Sequence, residues 1–172
     1  MGRASFLFQL WRKTLLRIGA VAWPPFQRSL PMSIETNKRV IQRFTTECIN
    51  TASENVAAEL IAPDSVFHLP GMSVPLRGPA GYLQVVRTMR AGFSNLQWIL
   101  EDMVAEGDKV AARFTLRGTH DGLFFGVPPT GKAIVGMSTS FYQIVDGKIA
   151  EENGLLDMLG ILQQIGALRI SG

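Results

Sequence analysis

A single cysteine, Cys48, stands among 172 residues, so no intrachain disulfide can form. The only histidines are His68 and His120, and with one cysteine they make no thiolate–imidazole metal pattern. Charged residues are 18%, below the ~25% usual for soluble domains, whereas hydrophobic residues reach 47%. That imbalance calls for a large interior, an apolar pocket or a subunit interface. Neither a phosphate loop nor a dinucleotide fingerprint occurs, so no nucleotide cofactor is expected. Acidic residues are absent from residues 1–31, which hold Arg3, Arg12, Lys13, Arg17 and Arg28. The remaining 12 basic and 14 acidic residues leave the body at −2, with no basic footprint for nucleic acid. The length fits one domain.

Residues 1–32 read as a leader separate from the fold, with the domain over 33–172. Ala4, Leu7, Phe8, Trp11, Leu15, Ile18 and Ala22 share one helical face, with Arg3, Lys13 and Arg17 on the other side. This is a basic amphipathic pattern, as in a membrane-surface anchor or an organelle-targeting segment. Arg12, Lys13 and Arg17 interrupt it well short of the ~20 apolar residues of a membrane span. The other reading is that Met32 is the natural start, because Ser33 directly after it can cap the first helix. The body is then expected in the cytoplasm, and the alternatives are an organelle or a membrane surface.

From Ser33 onward, Val40, Ile41, Phe44 and Cys48 recur at helical spacing and predict a helix to about Asn50. Cys48 falls on its apolar stripe, as a small core residue. Ser53 caps a second helical stretch ended by Pro63, and Val66–Leu69 is a short strand. Gly78-Pro79 opens a helix carrying Tyr82, Val86, Met89 and Phe93 on one face. Residues 96–105 and 110–120 alternate and turn at Gly107-Asp108. On the return strand Val110, Ala112, Phe114, Leu116, Gly118 and His120 point one way. Residues 133–145 pair with 148–157 through Asp146-Gly147, a strong two-residue hairpin signal. Residues 158–165 make a last short helix. Helices first and a meander after predict an α+β fold, a strongly curved antiparallel sheet with N-terminal helices closing a cone.

Register from the Asp146-Gly147 turn decides which side chains share a face. An unbroken ladder pairs Ile144 with Ile149, Tyr142 with Glu151, Ser140 with Asn153, Ser138 with Leu155 and Gly136 with Asp157. That face starts apolar and becomes polar, as small-molecule pockets do. It makes Ser138, Ser140, Tyr142 and Asn153 substrate-binding candidates, together with Phe114 on the neighbouring strand. The opposite face, with Met137, Phe141, Val145, Ala150 and Leu156, is too apolar for water throughout and reads as a dimer surface. Asp157 is the leading catalytic candidate as a carboxylate at the pocket, against the plainer reading of a helix N-cap. His120, beside the glycine-rich loop, is a second catalytic candidate, against a rim histidine bonding the loop. His68 is placed in the pocket with Val66. Glu101, opposite Phe114 in this register, is a pocket carboxylate or an interstrand ion-pair partner.

The segments Val66-Phe67-His68-Leu69-Pro70-Gly71, Gly118-Thr119-His120 and Pro129-Thr130-Gly131-Lys132, with the tail from Asp157 to Gly166, resemble the SnoaL-like polyketide and ester cyclases of the nuclear transport factor 2-like superfamily. The resemblance runs from about Asn37 to Gly166. It implies the cone-shaped fold, a homodimer, a pocket-lining role for His68, and an acid/base role for Asp157. It also implies an apolar small-molecule substrate and chemistry without cofactor or metal. One departure is Asn153, where the family tends to carry an aromatic residue, usually Trp. Three functions stay open: intramolecular aldol cyclisation, another proton-transfer reaction such as isomerisation, dehydration or epoxide hydrolysis, and non-catalytic binding of a small molecule. Because the apolar periodicity begins after Met32, deleting residues 1–31 is expected to leave folding intact. A fall in melting temperature of more than about 5 °C, roughly 1 kcal/mol or more, would show that the leader packs on the body.

Overall fold

A computed structural model describes residues 33–168. The leader expectations fall on residues 1–32, outside that range. Helix α1 covers Ile34–Arg43 and starts as expected, with the Ser33 side chain accepting from the Thr36 N–H at 3.1 Å. It runs on as a π-helical segment, Phe44–Ile49, where the Thr45 hydroxyl donates to the Ile41 carbonyl at 2.8 Å. Helix α2, Glu54–Leu60, is capped by Ser53.

Strand β1, Ile61–His68, begins earlier than the expected Val66 and passes through Pro63. Proline is tolerated because β1 pairs with its neighbour at Ile61 and again only from Val66, so the ladder asks no N–H of Pro63. Then follow β2 (Leu76–Arg77), α3 (Gly78–Gly92), β3 (Gln97–Glu106), β4 (Lys109–Thr119), β5 (Ala133–Val145), β6 (Lys148–Leu156) and α4 (Met158–Ile165). The strands form one curved sheet in the order β2-β1-β6-β5-β4-β3. All neighbours are antiparallel except β1 and β6.

The sheet has a covered inner face and an open outer one. Val110, Ala112, Phe114 and Leu116 of β4 are buried inward, as their alternation predicts. Tyr82, Leu83, Val86 and Met89 of α3 bury the opposing side of the core. Helix α4 docks at Gly136, where an added Cβ would sit 3.1 Å from the Ile161 side chain. Gly166 ends α4 in the left-handed region at φ 87°. No described helix is long and apolar enough to cross a membrane.

Two bulges depart from the expected ladders. In β3 the pairing passes from Leu100–Phe114 to Asp102–Arg113, leaving Glu101 as the extra residue. Glu101 therefore does not oppose Phe114, and it is exposed. The interstrand ion pair forms instead between Arg113 and Asp102, at 2.7 Å. The second bulge, in β6, shapes the site described below.

The loop after β4 is anchored by close backbone approach. The Gly122 N–H donates to the Gly92 carbonyl at 3.1 Å, and a Cβ on Gly122 would lie 1.8 Å from the Ala91 carbonyl oxygen. Gly122→Ala is expected to destabilise by about 1–3 kcal/mol, the usual cost of overpacking, as read by urea unfolding. Unchanged stability would mean that the loop is free to lift from α3.

Candidate active site

The hairpin opens as predicted. Asp146 and Gly147 both take positive φ, 49° and 77°, and Val145 pairs with Lys148 and Ile144 with Ile149. There the prediction stops holding. The next pair is Gln143–Glu151, so Ala150 has no partner, and the Ile144 N–H turns to the Asp108 carbonyl at 2.8 Å. One extra residue moves every later side chain of β6 to the other face. Tyr142 opposes Glu152, Phe141 opposes Asn153, Ser140 opposes Gly154 and Ser138 opposes Leu156.

The β5 and β4 candidates are where they were expected. Ser138, Ser140, Tyr142 and Phe114 are all buried on the inner face. The β6 candidates are not. Asn153 faces outward, and its amide donates to Glu151 at 2.9 Å. Its departure from the family's aromatic residue therefore does not reshape the interior. Asp157 is exposed beyond the end of β6 and caps α4, its Oδ1 accepting from the Gly160 N–H at 2.8 Å. His68 is also outward, with Nε2 3.6 Å from the Glu151 carboxylate and the side chain 45% exposed. The inward residue of that strand is its neighbour Phe67, which pairs with Glu152.

His120 is buried, but far from the others. Ala112 lies opposite Ser140, and His120 is eight residues further along the chain. At ~3.3 Å per residue that is about 26 Å along the strand path. Its ring packs 5.3 Å from Phe93, and Nδ1 shares a hydrogen bond with the Thr130 hydroxyl at 3.0 Å. Nε2 has no partner. His120 and the inner polar residues of β5 and β6 do not form one constellation.

The residue that sequence reasoning missed is Glu152. It is 4% exposed on the inner face, and its Oε1 accepts from the Ser140 hydroxyl at 2.8 Å. Oε2 is buried without a partner. Aromatic rings lie beside it: Tyr82 packs at a tilt on Phe67 at 4.7 Å and on Phe44 at 4.9 Å, and Tyr142 meets Phe44 edge-on at 6.1 Å. Gly154 makes the room. A Cβ there would stand 3.0 Å from Glu152 Oε1, and 3.3 Å from both the Ser140 hydroxyl and the Leu69 side chain.

Burial pushes the Glu152 carboxyl up to about 7, against the opposing pull of the Ser140 hydrogen bond and of the nearby Tyr142 hydroxyl. Burial, and secondarily the Glu152 charge, hold the Tyr82 and Tyr142 hydroxyls well above the usual tyrosine range. Two surface grooves lie elsewhere. One of 330 Å³ runs beside Phe141, Glu151 and Asn153, and one of 260 Å³ lies between α1, α2 and the β5–β6 turn. Neither is lined by Glu152. The desolvated carboxyl with an unpartnered oxygen, the kind of group active sites hold, stands on the inner face and lines neither groove.

A stability consequence follows from the raised carboxyl. Between pH 4.5 and about 7 the native state keeps a proton that the unfolded chain releases. Stability contributed by this group therefore falls as pH rises through that window, by about 3 kcal/mol in all. Glu152→Gln is expected to remove that slope and to be the more stable form at pH 8. Urea unfolding at pH 5 and pH 8 reads it, and parallel profiles for the two proteins would contradict the burial argument.

Residues 39–165 match the family of SnoaL-like polyketide cyclases. The chain is 30% identical over 134 residues to the aklanonic acid methyl ester cyclase DnrD of Streptomyces peucetius, covering 77% of this chain and 90% of that one. It is 30% identical over 128 residues to the nogalonic acid methyl ester cyclase of Streptomyces nogalater, covering 74% and 92%. Among solved structures, wild-type IdmH from Streptomyces antibioticus superposes with a TM-score of 0.69 at 34% identity, covering 76% of this chain and 98% of that one. With the curved six-stranded sheet and helices already described, these matches establish that the chain belongs to the SnoaL-like polyketide cyclase family.

Proposed function

We propose that this protein is a cofactor-independent cyclase of polyketide-type esters, with Glu152 as the proton-transfer group. The observation that carries the reading is the free Oε2 of a buried carboxyl poised near 7. General acid–base catalysis works best when the group's pKa is close to the working pH. In the reaction Glu152 takes a proton from a carbon flanked by carbonyls. The resulting enolate attacks a second carbonyl of the same molecule, and the proton returns to the new alkoxide oxygen. Atoms and electrons balance within one substrate, so no cofactor is called for. Tyr142 and Tyr82 stay protonated beside the carboxyl and can donate to the developing oxyanion. Phe44, Phe67 and Phe114 supply apolar surface that folds the chain of the substrate. The relatives named for methyl ester cyclisation support a substrate of that class.

We also propose that the outer face is covered by a second copy of the chain. Val104, Val135, Met137, Phe141 and Leu155 are between 55% and 71% exposed there, an apolar surface on one side of the sheet interrupted by Arg113, Thr139 and Asn153. Leu156, expected on this face, turns inward after the bulge, and Leu155 takes its place.

Glu152→Gln is expected to keep the fold and lower turnover of aklanonic or nogalonic acid methyl ester about 10²–10⁴-fold. Asp157→Asn, still able to cap α4, should stay within about twofold of wild type. A Glu152→Gln protein retaining more than about a tenth of the wild-type rate would defeat the assignment. For the dimer, Phe141→Glu should yield a monomer by light scattering on a sizing column. A Phe141→Glu protein of unchanged mass would place the subunit contact elsewhere.

A further inference from the structure

The two oxygens of Glu152 are not equivalent. Oε1 is engaged by the Ser140 hydroxyl at 2.8 Å, whereas Oε2 is buried with no partner. Ser140 and Gly154 are directly opposed across β5 and β6, and Glu152 leans back over Gly154. A Cβ at 154 would crowd Oε1 at 3.0 Å and the Ser140 hydroxyl at 3.3 Å. The donor and the missing side chain therefore form one cradle. A glutamate has three rotatable bonds, and a base must present one lone pair in a fixed direction to act on carbon. Among the described residues, the Ser140 bond is the hydrogen bond that holds the carboxyl from the β5 side.

We propose that Ser140 and Gly154 together are positioning residues: they pin Oε1 of Glu152 so that Oε2 alone takes and returns the substrate proton. The inference rests on Glu152 as the base and adds how that base is aimed. Other groups facing the carboxyl are Tyr142 from β5 and Tyr82 from α3, and the facing residue on β1 is Phe67. His68 and Glu151 lie on the outer face with one another. Tyrosine hydroxyls that stay protonated add no charge near neutral pH, and the Tyr142 pull is common to wild type and Ser140→Ala, so the difference between their Glu152 titrations reads the Ser140 bond.

The experiment titrates Glu152 in the free, full-length protein by carboxyl-carbon NMR, and measures kcat and KM against pH on aklanonic acid methyl ester. Ser140→Ala removes a hydrogen bond that favours the charged form, so the midpoint should rise by about 1 pH unit. At pH 7 that leaves about a fifth of the ionised carboxylate, and kcat should fall about fivefold or more with KM little changed. Gly154→Ala, which crowds the same bond without deleting the hydroxyl, should move the midpoint in the same direction. A purely structural role would lower the melting temperature and leave the midpoint in place. Loss of turnover in Glu152→Gln with an unmoved midpoint in Ser140→Ala overturns the inference and spares the assignment of Glu152. Retained turnover in Glu152→Gln overturns both.

Discussion

Ala150 sits between Ile149, which pairs with Ile144, and Glu151, which pairs with Gln143, and it has no partner of its own. Strand side chains alternate with a period of two, so an unpartnered residue inverts everything beyond it. Without it Glu151, Asn153 and Leu155 would face the helices, and Glu152 would face solvent. With it the inner face receives Glu152, then Gly154, then Leu156, against Tyr142, Ser140 and Ser138. The same inversion carries Glu151 outward to His68 and Asn153. The buried carboxyl, its donor and the space that holds both are thus consequences of one inserted residue. Bulges recur beside active sites because they re-aim side chains in this way.

A carboxyl in such a place is costly to the fold. Its burial beside Phe67, Tyr82 and Tyr142 disfavours the charged form, and a single hydroxyl at 2.8 Å compensates only in part. An apolar residue of similar volume would pack there with less penalty. A group held near neutrality is nevertheless a better base for proton transfer at carbon than a solvent-like carboxylate. The stability lost on ionisation and the basicity gained come from the same desolvation. The surrounding aromatic rings supply the packing that allows the fold to carry it.

Most of the architecture was legible because it rests on strong local signals. Ser33 and Ser53 cap where a hydroxyl precedes an apolar period, and Gly78-Pro79 opens α3. Asp146-Gly147 sets the hairpin, and the β4 alternation assigns Phe114 correctly. On β5, Ser138, Ser140 and Tyr142 follow from parity counted back from the turn. On β6 the run Lys148-Ile149-Ala150-Glu151-Glu152-Asn153-Gly154 has no clear alternation, so its composition could not pin the register. Two adjacent glutamates meant that one would face in and one out, and the bulge decides which. Gly154 was the available hint: a glycine in a strand interior marks a bulge or a close approach. Asp157 attracted the catalytic assignment because a carboxylate before a helix looks alike whether it caps or catalyses, and here the cap is what forms.

His120 shows how a conspicuous motif can belong to the scaffold. Its backbone N–H donates to the Lys132 carbonyl at 2.9 Å, and its carbonyl accepts from Gly131 at 2.9 Å and Thr130 at 3.2 Å. The ring adds the Thr130 bond and packs against Phe93, which in turn meets Phe124 at 4.8 Å. One residue therefore holds both ends of the loop from Asp121 to Gly131 and fastens it to the end of α3. The Gly-Thr-His and Pro-Thr-Gly-Lys segments are two halves of that clasp, which accounts for their pairing in the sequence. With the loop fixed, β4 and β5 stay in register over their whole length, from Lys109–Gln143 to Thr119–Ala133. That register delivers Ser140 to Glu152 from a strand that is closed at its far end by His120.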